Sequence, residues 1–538
     1  MPDERTQVLV VGAGLAGCSS AMFLAQRGID VLVVERHPGT SPHPRATGQF
    51  PRTMELLRVA GVADDVMAAS YGLGNGLTIK IAKTVQGPVF QTIIRGNDDE
   101  DYDTSAISPA PFGIASQDAV EPILLAKAEE YGAKIHFATE LISAEQDEEG
   151  VTARLLNRTT EHLTTIRADY VIAADGHRSP MREKLGITRH GKGTLNNAIG
   201  VLFDADLSAY VDPDSAALYY LRNPAFTGVF VNTAVPDRHL FGFDYHPERG
   251  ESVTDFTDQR VTELIRVGLD DETVRPDITV VQAWEIAAGV ADRFGDGRIF
   301  LAGDAAKVTP PTGGMGGNTA IGDGYDIAWK LADVISGAAG PGLLASYDAE
   351  RRPYAEQIVI ASLHNAKTRL APSLDLSDVP DPLDAFALGF GFRCRSNAVI
   401  IDDDDPAPTE DPTKPSGRPG FRAPHVPVIV NGTELSTIDL YGNCWVLIAA
   451  DDSWSAAAED AANVFGVGLL SYRIGTDLID PSGRLADRYG IGDAGASLIR
   501  PDGVVAWRTT VADTEPTATL VTALARLLDR ADVVDVNS

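Results

Sequence analysis

Cysteine is scarce in this sequence. Cys18, Cys394 and Cys444 are the three among 538 residues, an odd count with no CxxC spacing. That excludes a disulfide framework, a zinc ribbon or a dithiol redox centre, no metal site is expected, and a reducing cytoplasm fits best. Positive charge is also in short supply, with 45 Lys and Arg against 76 Asp and Glu, a net charge of -31 and no concentrated basic patch. Nucleic acid would be repelled, and the acidity reads as solvated surface. No uninterrupted apolar run is long enough to span a bilayer. The first residues, with Asp3, Glu4 and Arg5 ahead of the apolar Val8 to Val11, lack the basic opening of a signal peptide. No repeat appears at solenoid periods.

What is present describes a large globular chain. Hydrophobic residues make up 44% and charged residues 22%, and the length exceeds what one hydrophobic core supports, so two or three domains are expected. The stretch Gln7 to Val11 is a β-branched run ending in glycines, Leu15 to Arg27 follows at helical periodicity, and Val31 to Val34 is a second apolar run: a β-α-β unit. Asp118 to Tyr131 reads as an amphipathic helix and Asp169 to Ala174 as a buried strand. From Leu185 to about Ala283 short alternating segments such as GVLFDADL, ALYYL and HLFGFDYH predict an antiparallel sheet. The buried-strand pattern resumes at Arg298 to Ala302, with a helix predicted over Thr319 to Ile335. A discontinuous first domain over 1–75, 105–185 and 284–398 is therefore expected, with an inserted antiparallel-sheet layer over 76–104 and 186–283. The acidic, proline-rich stretch 399–424 reads as a linker, and 425–538 as a small α/β module ending in a helix from about Thr517 to Arg530.

Three segments carry candidate chemistry. In GAGLAG, Gly12 permits a tight turn, Gly14 lets backbone approach a pyrophosphate at a helix N-terminus, and Gly17 allows the helix to pack closely on the strand. Glu35, at the end of the second strand, is placed to accept hydrogen bonds from an adenosine ribose. Strand, helix, second strand and acid occur in the order dinucleotide binding requires. In YVIAADGHRSPMR, Asp175-Gly176 read alone is a strand-ending turn. In GDAAKVTPPTGGMGGN, Asp304 sits at a strand end where a carboxylate can hold a polyol hydroxyl. Prolines fix the loop, Gly313, Gly314, Gly316 and Gly317 present bare amides, and the following helix offers its positive end.

This set, with PRATGQFPRTMELLR (Pro44 to Arg58) and DGYDIAWKL after the third segment, resembles the class A flavoprotein monooxygenases, and within them the actinobacterial aromatic polyketide hydroxylases of antibiotic biosynthesis. The resemblance covers essentially the whole chain. It implies an α/β fold: a Rossmann-like FAD-binding domain of the p-hydroxybenzoate hydroxylase type, an inserted antiparallel-sheet substrate domain and a C-terminal thioredoxin-like domain lacking CxxC. It also implies that Gly12, Gly14, Leu15, Ala16, Gly17, Glu35 and Arg36 hold the ADP half of non-covalent FAD. Arg45 and Gln117 would contact the ribityl-phosphate region and Leu141 would lie near the adenine. Gly303 and Asp304 would bind the ribityl chain, and Pro311 through Asn318, including Gly314, Gly316 and Gly317, would flank the isoalloxazine. Asp175, Ser179 and Arg182 would belong to the motif linked to both FAD and NAD(P)H. The chain departs from the family pattern at Ala173 (often glycine), Lys307 (often histidine) and Asp326 (often asparagine).

The implied activity is an oxidoreductase one: hydroxylation of a polycyclic phenol using NADPH or NADH and O2 through a flavin C4a-hydroperoxide. Only one dinucleotide fingerprint is visible, so the nicotinamide nucleotide is expected to reduce the flavin transiently, without a Rossmann domain of its own. Tyr220, which matches a tyrosine of the polyketide hydroxylases, is the candidate base that deprotonates the substrate phenol, and Arg369 is the candidate to favour the phenolate by charge. The alternatives are a packed strand aromatic and a solvated helix face. Baeyer-Villiger oxidation on the same scaffold, a non-catalytic flavin or polyketide carrier, and an adaptor role for the C-terminal module are the rival readings. A halogenase lacks its WxWxIP here, and a two-dinucleotide monooxygenase its FxGxxxHxxxW. A cytoplasmic monomer or homodimer acting on a polycyclic aromatic small molecule, with no membrane or nucleic-acid partner, is the expectation.

Overall fold

The computed structural model describes residues 4–44, 46–96 and 103–532. Its first layer is an eight-stranded sheet with a parallel core, to which Thr139–Asp147, Gly150–Asn157 and Gly295–Asp296 add antiparallel strands. Strands β1 (Glu4–Val11), β2 (Val31–Val34), β5 (Lys134–His136), β6 (Leu163–Ala173) and β12 (Ile299–Leu301) run in the order β12-β6-β1-β2-β5. Val8, Leu9, Val10, Val31, Leu32 and Val33 are almost wholly buried, as near-continuous apolar strands of a sheet covered on both faces must be. Helices α1 (Leu15–Gln26), α2 (Gln117–Glu130) and α3 (Met315–Ile335) pack together on this layer. α3 begins four residues before the sequence places it. Gly316 and Gly317 are poor helix formers, yet at Gly317 a Cβ would come within 3.0 Å of both Ala46 and Leu15, so the tight seat, not propensity, sets the helix start.

The second layer is an eight-stranded sheet that contains β3 (Leu77–Ala82), β4 (Val89–Arg95), β7 (Arg189–Asp204), β8 (Ala216–Arg222), β9 (Thr227–Asn232), β10 (Arg238–Tyr245) and β11 (Asp277–Ala291). Its order is β11-β7-β10-β9-β8-β3-β4, with the short strand Lys307–Val308 beyond β11. Every pairing is antiparallel except β8 with β3. That exception arises because the β3-β4 hairpin comes from the earlier part of the chain and joins the sheet edge by a long connection. One face carries Ile199, Val201, Phe203, Phe230, Phe241 and Phe243 into a second apolar core, closed by the helix Asp258–Leu269. Period-two alternation turns the other face toward the parallel layer. Across that gap lies α4 (Ala345–Arg369).

The C-terminal module is a four-stranded sheet, β14-β13-β15-β16, made of β13 (Trp445–Ala449), β14 (Leu469–Arg473), β15 (Ala496–Ile499) and β16 (Val505–Thr509). Parallel β13-β14 is followed by antiparallel β15 and β16, with α5 (Ser453–Phe465) and α6 (Pro516–Leu527) packed together: the thioredoxin-like topology. The acidic stretch before it has neither helix nor long strand and is held by ion pairs, Arg393 to Asp403 at 2.7 Å and Arg418 to Asp405 at 2.8 Å. No helix among the described residues is long and apolar enough to cross a membrane.

Candidate active site

The site is built where β1 stops. Gly12 adopts φ +103, and a Cβ there would lie 2.3 Å from the Ala174 carbonyl oxygen. At Gly17 a Cβ would lie 1.9 Å from the Gly12 carbonyl oxygen. Both glycines therefore make the strand-turn-helix junction possible. Gly14 is different. Its φ is -81, and a Cβ added there would meet only the Glu121 carboxylate, at 3.7 Å, so nothing in the protein requires glycine at this position. Its bareness faces the cavity. The Glu35 carboxylate accepts from the Ala13 amide at 2.9 Å and from the His37 amide at 2.9 Å, which fixes the loop.

The Asp175 loop follows β6. Ser179 holds a left-handed conformation (φ 39) and its hydroxyl accepts from the Arg182 amide at 3.1 Å. Asp175 Oδ2 accepts from the Met181 amide at 3.0 Å, whereas Oδ1 is buried with no partner. Burial pushes the Asp175 carboxyl above its ordinary value, against the hydrogen bonds from Ser179 and Met181. Arg182 is itself buried and donates to the carbonyls of His177 (3.3 Å), Arg178 (3.0 Å) and Ala305 (3.3 Å). Its side chain straps this loop to the Gly303 loop.

In the third segment Gly303 has φ +61 and Gly314, capping α3, has φ +65, conformations that favour glycine. The amides of the first turn of α3, at Met315 to Asn318, have no intrahelical acceptors. Asn318 is spent on the protein. Its Oδ1 accepts from the Phe50 amide at 2.7 Å, and its Nδ2 donates to the carbonyls of Gly48 (3.0 Å) and Gly314 (2.8 Å). It therefore clamps the neighbouring strand to the helix start, a positioning part that the sequence pattern does not distinguish from ligand contact. Lys307 is buried on Asp323, whose carboxylate also accepts from the Gly303 amide at 3.1 Å and from Arg351 at 2.9 Å. Burial alone would raise Asp323; Lys307 and Arg351 hold it below the ordinary carboxylate range. Lys307 thus props the loop from behind; Asp323 opens the DGYDIAWKL segment but its role there was not read from the sequence, and Arg351 lies outside every motif.

Gly12, Gly14, Leu15, Ala16, Glu35, Arg36, Gln117, Leu141, Asp175, Gly303, Asp304, Pro311, Gly314, Gly316, Gly317 and Asn318 line one continuous cavity that also reaches Tyr220 and Arg369; Gly17 does not line it, and Arg45 lies outside the described residues. The cavity volume of about 3220 Å³ is several times the roughly 300–1,000 Å³ of a site for one drug-sized ligand. The residues fit FAD: the Gly14 cradle, the partnerless Asp175 oxygen and the α3 N-terminus all face space that a dinucleotide would fill.

Beyond the α3 start the cavity becomes apolar. Tyr220 is buried in a cluster with Ile79 and Ile81, no described residue hydrogen-bonds its hydroxyl, and the Arg369 guanidinium lies 5.7 Å from the ring centroid. Arg222, one strand period from Tyr220, donates to the Arg369 carbonyl at 2.9 Å and also to the Thr368 carbonyl. It pins the end of α4 to β8 and was missed in the sequence, because its partners lie about 150 residues away.

The FAD-binding domain family matches residues 5–362, and the aromatic-ring hydroxylase C-terminal family matches residues 416–531. An aklavinone 12-hydroxylase of Streptomyces purpurascens is 50% identical, over 98% of this chain and 100% of the relative. The tetracenomycin A2 monooxygenase-dioxygenase of Streptomyces glaucescens is 37% identical over 98% of each chain. Among solved structures, a ternary complex of aklavinone-11 hydroxylase with FAD and aklavinone superposes with a TM-score of 0.94 at 49% identity, covering 98% of this chain and 100% of that one.

Proposed function

The chain belongs to the FAD-binding-domain family, with the C-terminal domain of the aromatic-ring hydroxylases, and from that premise we propose that its own substrate is a polycyclic, polyketide-like phenol. It is an FAD-dependent monooxygenase that uses NAD(P)H and O2. The observation that carries the substrate class is the single cavity joining the Gly14 cradle to an apolar sheet face, with the α3 N-terminus between them.

FAD held by these residues would supply the redox chemistry, passing electrons from NAD(P)H to O2 so that one oxygen atom reaches the substrate. The protein's part is binding, orientation and exclusion of water. Gly12 to Gly17 and Glu35 would set the loop for the ADP half, Asp304 and the first turn of α3 would hold the flavin half, and Asp323 with Lys307 keeps the Gly303 loop in place. Tyr220 and Arg369 sit where a substrate phenol would meet them. The Arg369 cation favours the phenolate, which raises electron density at the ring carbon attacked. We assign the enzyme to the cytoplasm as a monomer or homodimer with no nucleic-acid partner. Its acidity and its three unpaired cysteines support this.

The test is rapid-mixing absorbance of the FAD-loaded enzyme with NADPH or NADH and O2, with and without an anthracyclinone. Faster flavin reduction with the phenol and a product heavier by one oxygen are expected, and product fragmentation separates ring hydroxylation from Baeyer-Villiger insertion. An anthracyclinone that binds while neither NADPH nor NADH is ever consumed would overturn hydroxylation in favour of a carrier.

A further inference from the structure

The cavity face of the second sheet has a row with two glycines at its centre. Cross-strand register places Gln282 of β11 beside Gly200 of β7, Gly200 beside Gly242 of β10, Gly242 beside Val229 of β9, and Val229 beside Tyr220 of β8. The next row on the same face is bulky throughout: Val280, Leu202, Leu240, Val231 and Leu218. On the other side Trp284 and Ala198 stand next to each other. All of these residues line the cavity. The face therefore carries a shallow trench, floored by Gly242 and Gly200, walled by an aliphatic ridge and Trp284, and closed at one end by Val229, with Tyr220 next beyond it.

Glycine in the interior of a strand weakens it, and its usual reasons are a special backbone conformation or the close approach of another backbone or a ligand. The sheet offers both cases. Gly228, adjacent on β9 but facing the opposite core, has a backbone reason: a Cβ there would lie 2.0 Å from the Gly242 carbonyl oxygen. Gly200 has none. Its φ is not positive, a Cβ would meet Trp284 Nε1 at 3.4 Å and the Gln282 carbonyl oxygen at 3.8 Å, and both are ordinary contacts. Gly242 would touch only the Val229 side chain closely, with its Cγ2 at 2.8 Å. The protein itself has no need of bare backbone at Gly200, so the need belongs to what occupies the cavity.

We infer that Gly200, with Gly242 and Trp284, is a specificity determinant: the trench seats the flat face of a fused-ring substrate and delivers its phenolic edge to Tyr220 and Arg369. This deepens the polycyclic-phenol reading and rests on it. The spacing agrees. Gly200 lies three strands from Tyr220, about 14 Å at the usual inter-strand distance, which suits a linear multi-ring system and exceeds a single ring. A side chain at 200 would lift the far rings off the floor and tilt the phenolic edge away from Tyr220.

The experiment uses the full-length FAD-loaded enzyme and an anthracyclinone, with binding read from the flavin absorbance change and fold from flavin content and melting temperature. Gly200→Val is expected to raise the anthracyclinone Kd by about tenfold or more, and Gly200→Ala by less, with flavin content and melting temperature held. Should the valine variant lose its fold, the alanine variant decides, since its Cβ has room. A folded Gly200→Val that binds the anthracyclinone as tightly as the wild type overturns the trench and leaves the hydroxylase reading standing. So does a loss that appears only together with flavin release in both variants. Wild-type enzyme that neither binds nor oxidises the anthracyclinone overturns the polycyclic reading, and the trench with it.

Discussion

Three glycines within six residues of the first loop do different work, and single methyl groups separate them. Gly14→Ala adds a Cβ that the protein tolerates, so the expected outcome is an unchanged apo melting temperature with FAD affinity weakened about tenfold or more, measured by flavin titration. Gly17→Ala forces a Cβ into the Gly12 carbonyl and should cost about 3 kcal/mol of stability before any cofactor is considered. Equal losses of stability in the two variants would remove the distinction. Glu55 makes the second case at this scale. Its buried carboxylate accepts from Arg52 at 2.8 Å, from Ser108 at 2.7 Å and from Arg422 at 3.1 Å. Burial alone would raise it, but Arg422 and Arg52 hold it below its usual 4.5. A depressed carboxyl stabilises the fold above its unfolded pKa and loses that contribution as pH falls through the folded one. Glu55→Gln should therefore cost about 3–5 kcal/mol at neutral pH. The gap should narrow below about pH 4.5, as read from urea midpoints between about pH 7 and pH 3.5.

At the scale of elements, what could be read in advance was whatever local pattern decides: the β-α-β start, α2, the alternating strands and the glycine loops. α3 starts earlier than its apolar pattern because Gly316 and Gly317 look like loop and are used as helix where a Cβ would be tight, at 3.2 Å from Thr309 for Gly316 and 3.0 Å from Ala46 and Leu15 for Gly317. The parallel β8-β3 pairing was illegible because strand partners separated by well over a hundred residues leave no local signature. The same holds for Arg222, which ties the last carbonyls of α4 to β8 and so fixes Arg369 relative to Tyr220. Arg222→Met is expected to lower kcat for the phenol about tenfold while FAD affinity stays within twofold, and Arg222→Lys should restore part of it. An unchanged kcat in the methionine variant would show that the α4 end needs no such tie.

At the scale of the whole molecule, the C-terminal module packs into the interior through buried polar contacts. Arg500, fully buried, reaches from its β15-β16 turn to Glu350 on α4 at 2.6 and 2.9 Å. Glu350 meets Lys330 of α3 at 3.0 Å, and Lys330 meets Asp326 at 2.8 Å. The Tyr325 hydroxyl, on the same helix, lies 2.8 Å from the carbonyls of both Gly442 and Pro501 and shares its one proton between them. The departure to Asp326 is thus explained by Lys330, and no spacing rule could have shown that residue 350 waits for residue 500. α3 and α4 are the helices that carry the Gly313-Gly314 loop, proposed to meet the flavin, and Arg369, so the module steadies both sides of the cavity. Arg500→Met leaves Glu350 with one cation in place of two in a buried setting, a change worth about 3–5 kcal/mol against a total stability of about 5–15 kcal/mol. A sharply lower melting temperature with early flavin release is expected, and Arg500→Lys should fall between, since one ammonium replaces a two-pronged contact. Truncation after Pro424 removes Arg500, Asp502 and both acceptors of Tyr325 together, so the remaining chain should be recovered without flavin. If it instead holds FAD and oxidises NADPH with the phenol at the full-length rate, the module is a separable attachment and the buried ion network does not organise the cavity.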